Sequence, residues 1–147
     1  MIYTQERDRL RQFWCDAWRK ACADEPLEPL EQIIANIVAS HTEYHALLTD
    51  PDGSAHRDWQ TSGYETNPFL HLGMHLALQE SIATDRPLGV RGVYHTLMKR
   101  VGDAHRVEHQ LMECLAETLW QAQRYGGQPD ERAYLACLQR MVKAKAP

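Results

Sequence analysis

From Pro68 to Gln79 the chain runs through twelve residues, PFLHLGMHLALQ, with no aspartate, glutamate, lysine or arginine among them. A helix without a charged face has no side to offer water, so other elements must surround it. Asn67 and Pro68 supply its start, a capping side chain followed by proline at the first helical position. The rest of the chain supplies partners of the same kind. After Thr4, a plausible cap, Leu10, Phe13, Trp14, Ala17, Trp18 and Ala21 recur at steps of three and four, which is one face of an amphipathic helix. After Pro26 and Pro29, a second stripe runs through Leu30, Ile33, Ile34, Ile37, Val38, His41, His45 and Leu48.

Beyond the central helix, Val90, Val93, Tyr94, Leu97 and Met98 mark a shorter helix ending near Gly102. Asp103 then caps a long one carrying His105, His109, Met112, Ala116 and Leu119 to about Tyr125. GGQPD breaks it, and Asp130 caps a last helix with Tyr134, Leu135, Leu138 and Met141 inward. The breaker-rich segment TDPDGSAHRDWQTSGYE reads as the longest loop. No strand pattern of comparable strength occurs, so the expected fold is all-α, a bundle of four core helices with shorter flanking ones.

With 147 residues, the expectation is a single domain over 1–147. A 44% apolar and 24% charged composition is that of a globular chain, and the net charge of −4 argues against nucleic acid as a partner. The charged opening and the lack of a long apolar run argue against export and against a membrane, leaving the cytoplasm as the expected location. The four cysteines, Cys15, Cys22, Cys114 and Cys137, follow no Cys-x-x-Cys spacing and read as reduced thiols in apolar surroundings.

Six of the eight histidines fall into three His-x-x-x-His pairs: His41 with His45, His71 with His75, and His105 with His109. Chance placement at this composition gives about 0.4 such pairs. Residues four apart on a helix lie one turn apart on one face, the spacing with which a helix chelates. Each pair falls on an apolar stripe or in the uncharged helix, and an imidazole buried without a partner costs about 1–3 kcal/mol. A shared cation would satisfy them together. Glu113 extends the third pair by one turn and could complete such a site, while Glu43, Glu80, Glu108 and Glu117 lie off that register. The pattern contains neither His-Glu-x-x-His nor the Glu-x-x-His of di-iron bundles, and no phosphate loop or nucleophile elbow. His56 and His95 stand alone.

NPFLHLGMHLALQE, TDRPLGVRGVYHTL and GDAHRVEHQLMECLAETLWQAQR resemble a bacterial family catalogued as domain of unknown function 1841, over most of the chain. The resemblance implies a bacterial cytoplasmic protein and carries no activity. More distantly, histidine and carboxylate ladders in a bundle are similar to hemerythrin-like and DinB-like metal proteins, whose motif order and spacing differ.

Two readings follow. In the first, His41, His45, His71, His75, His105, His109 and Glu113 hold one or two transition-metal ions, iron or zinc foremost, and an open coordination position would permit metal-dependent catalysis. In the second, the chain is a metal-free protein–protein interaction module with a structural histidine–carboxylate network, and Trp14, Trp18, Trp59 and Trp120 are its candidate anchors. Substrate, protein partner and oligomeric state are not encoded in these patterns.

Overall fold

The computed structural model describes residues 2–54 and 67–144. The described residues form eight α-helices and no strand: α1 (Ile2–Cys22), α2 (Pro29–Ala39), α3 (His45–Leu48), α4 (Pro51–Ser54), α5 (Pro68–Thr84), α6 (Val90–Val101), α7 (Ala104–Tyr125) and α8 (Glu131–Lys143). The all-α expectation is met. None of these helices is long and apolar enough to cross a membrane. The chain packs as two compact units, Met1–Leu76 and Ala77–Pro147, with the boundary inside α5.

In the first unit, α1 runs until the left-handed Asp24 turns the chain, and α2 begins at Pro29. There the Glu28 backbone N–H donates to the Glu31 carboxylate at 2.9 Å. Lys20 Nζ reaches the same carboxylate at 2.8 Å and ties α1 to α2. It also holds the Glu31 carboxyl below its ordinary range, with the Glu28 N–H adding to the effect. The apolar stripes read from the sequence close on one another: Trp14, Cys15 and Ala17 of α1, Ile34, Ile37 and Val38 of α2, Leu48 of α3, and Phe69 and Leu72 of α5 form one buried cluster. Each large side chain buried there contributes about 2 kcal/mol of transfer free energy.

The second stripe is not one helix. α2 stops at Ala39, and the Ser40 N–H bonds back to the Asn36 and Ile37 carbonyls. His41 leaves helical geometry at φ −118° and ψ 70°, and a 3₁₀ turn over Thr42–Tyr44 leads into α3. A 3₁₀ turn keeps a three-residue repeat, so the apolar period continued through a break that periodicity could not register. The predicted loop also contains structure, because Pro51–Ser54 is helical. His56 and Trp59 lie outside the described residues.

The second unit follows its capping signals closely. Gly102, at φ 77°, ends α6 in the left-handed conformation, and Asp103 accepts the His105 and Arg106 N–H groups to start α7. Gly126 and Gly127, at φ 75° and 102°, turn the chain after α7, and Asp130 accepts the Arg132 and Ala133 N–H groups to start α8. The reading of all four cysteines as thiols is corrected here. Cys114 of α7 and Cys137 of α8 form a disulfide, with Cα atoms 5.8 Å apart. Cys15 and Cys22 remain free, one buried and one exposed. Helix packing brought together two cysteines separated by 23 positions, a distance at which no local spacing motif operates.

Candidate metal centre

Three imidazoles of the first unit converge. His71 and His75 stand one turn apart on α5, and both are buried. His41 joins them because the break after α2 releases its backbone from the helical ladder. Its Nδ1 lies 2.7 Å from the Ile37 carbonyl, so Nδ1 carries the proton and donates it, and Nε2 is the nitrogen that faces the other two rings. His41 Nε2 is 3.1 Å from His75 Nε2 and 3.1 Å from His71 Nε2, and the last two are 3.2 Å apart. The rings meet at steep angles of 80°, 66° and 69°, with edges pointing at a common centre.

This triangle cannot satisfy itself with protons. An Nε2 atom presents either one N–H or one lone pair, and a hydrogen bond needs one of each. Around a ring of three, two neighbours must always present the same thing, in any tautomer or charge state. At least one contact near 3 Å is therefore proton against proton or lone pair against lone pair, whatever else each ring meets. A cation accepts three lone pairs at once and removes the conflict. The dimensions suit one: the triangle's centre is about 1.8 Å from each nitrogen, within reach of a ~2.0 Å zinc–imidazole bond. Ligands of an ideal tetrahedral shell at that bond length are about 3.3 Å apart, close to the separations observed.

Around the triad, the Tyr44 ring stacks on His41, with centroids 5.6 Å apart and planes within 7°, and stands edge-on to His71. Burial raises its phenol above the ordinary range, and Glu43 adds to the effect. Sequence reasoning missed Tyr44, whose only signal was its place between His41 and His45. His45 is not brought into the triad. Its Nε2 lies 2.8 Å from the Val38 carbonyl, where it satisfies the C-terminal end of α2, and its ring packs on Trp18.

In the second unit, His105 and His109 lie one turn apart on α7 with ring centroids at 4.3 Å. Their surroundings differ from the expected inward stripe: His105 is half-buried and His109 is exposed. The buried face of α7 runs instead through Val107, Glu108, Leu111, Met112, Cys114 and Thr118, displaced along the helix circumference from the face that was read. Glu113 is consequently exposed, and the buried carboxylate of α7 is Glu108, which accepts from Gln79 Nε2 at 3.3 and 3.4 Å. His95 is exposed, as its isolation implied.

His41 and His75 belong to a group of histidines placed closely enough to hold a metal ion. No curated protein and no solved structure matches the chain. The family described as Domain of unknown function (DUF1841) matches over residues 6–140, and the chain belongs to that family.

Proposed function

We propose that this protein binds a transition-metal ion, iron or zinc, through the Nε2 atoms of His41, His71 and His75. The observation that carries the reading is the closed triangle of nitrogens at 3.1–3.2 Å, an arrangement that protons cannot satisfy and a cation can. On their spacing alone, His105, His109 and Glu113 of α7 are proposed as a second set of ligands, for a second ion, and His45 as a residue that supports the triad from outside it through the end of α2. An ion held by three neutral imidazoles retains its full charge, so it would act as a Lewis acid and acidify a bound water. Metal-dependent hydrolysis or oxygen chemistry in the cytoplasm is the activity class that follows.

Elemental analysis of untagged protein from iron- and zinc-replete cells tests this. About one equivalent of metal is expected, and His75→Ala should lose it while remaining folded. Metal far below one equivalent in the wild type, or unchanged in His75→Ala, would overturn the reading. One observation favours the metal-free interaction module instead: Leu10, Phe13, Leu30 and Ile33 of α1 and α2 are 36–62% exposed. A folded wild type without metal would leave that second reading standing.

A further inference from the structure

The Cys114–Cys137 disulfide is asymmetric toward solvent. Cys114 is buried at 2% exposure, whereas Cys137 is half-buried and lines a cavity of about 450 Å³ in the second unit. Glu117, Thr118 and Gln121 of α7, Asp130 at the cap of α8, and Arg140 of α8 share that lining. The wall on the α7 side is fixed: Thr118 Oγ1 donates to the Cys114 carbonyl at 2.8 Å, and Gln121 Nε2 donates to Glu117 at 3.0 Å. The cavity is therefore lined by one half of the disulfide, one guanidinium and two carboxylates, in a volume suited to a small zwitterionic peptide.

We propose that this cavity is a site of thiol–disulfide exchange, in which a peptidyl thiol of the glutathione class attacks Cys137 and not Cys114. The incoming thiolate forms a bond to Cys137 Sγ and the Cys137–Cys114 bond breaks. The electron pair leaves on Cys114 Sγ, which takes a proton from solvent. A second external thiol attacking the first one's sulfur then releases Cys137 as a thiol and leaves an external disulfide, so two external thiols supply the two electrons that reduce the protein. Access selects the sulfur, because rates of exchange depend on which sulfur can be reached in line. Arg140 attracts the carboxylates of the peptide, and Glu117 and Asp130 attract its ammonium group. The step is independent of any metal.

Peptide mapping tests it on the full chain, with Cys22→Ser removing the exposed thiol. The protein is treated briefly with reduced glutathione, quenched in acid and alkylated. The expected result is glutathione on the Cys137 peptide and the alkyl label on Cys114. Arg140→Ala should slow the reaction with glutathione about fivefold, the scale of one exposed ion pair, and leave the rate with uncharged 2-mercaptoethanol unchanged. Glutathione on Cys114, equal slowing with both thiols, or alkylation of both cysteines before any thiol is added would each overturn the proposal.

Discussion

The two units of this chain secure themselves by different means. The first closes an apolar cluster around Trp14, Ile34, Val38, Leu48 and Leu72 and places three imidazoles in contact with one another. The second also buries apolar side chains, Leu78, Leu97, Leu111 and Leu138 among them, and adds covalent and terminal devices, a disulfide between α7 and α8 and aspartate caps at the start of both helices. Their histidine pairs share a spacing but not a setting. On α5 both rings are buried, whereas on α7 one is half-exposed and one exposed. Spacing on a helix decides whether two rings can meet. Burial decides whether their meeting requires a third party.

The contrast can be broken by experiments that strike one unit at a time. The largest effect is expected for Leu72→Ala. Its side chain has no solvent exposure, so truncation should cost about 4 kcal/mol in denaturant unfolding. Hydrogen exchange should then accelerate over 29–48 before 104–143, and equal acceleration in both would remove the distinction between the units. Replacing Cys114 and Cys137 together by serine should cost about 3 kcal/mol, the loop-entropy estimate for a closed loop of this length, with exchange rising first in α8. Asp130→Ala removes acceptors for two N–H groups and should cost about 1 kcal/mol. A change in α2 amides instead would show that the second unit does not depend on its caps.

The smallest effect is one of pH. The Arg91 and Gly89 N–H groups hold the Asp85 carboxyl below its ordinary value of 3.8. A depressed carboxyl gives stability that is complete above its unfolded value and disappears as pH falls through the lowered folded value. Asp85→Asn keeps an acceptor and tolerates the left-handed backbone at φ 52°, so the variant should lose the charged form's small contribution at neutral pH, and its acid titration of stability should be shallower below pH 3.8, where it converges with the wild type. An unchanged acid limb would show that this contact contributes nothing.

The start of α5 at Asn67 and Pro68, the caps Asp103 and Asp130, and the stop at Gly102 were legible because each depends on chemistry within four residues. His71 and His75 were legible for the same reason. His41 was picked out on a false premise, a continuous helix, and reached the triad through the break that premise overlooked. The orientation of α7 was not legible. Glu113 and Glu108 lie on different sides of one helix, and only packing with Cys114, Leu111 and Thr118 buried selects between them. The disulfide and the Tyr44 stack depend on contacts between separate elements, which periodicity along one helix does not carry.

The joint at Ser40 and His41 gives the triad an uneven mechanical character. Two of its members ride on a seventeen-residue helix, and the third sits on a short irregular connector, its ring bonded to the Ile37 carbonyl and its backbone N–H to the Val38 carbonyl. If the triad holds an ion as proposed, His41 is the member whose backbone can move most independently, so stiffening residues 40–44 would act as a brake on metal exchange without altering a single ligand.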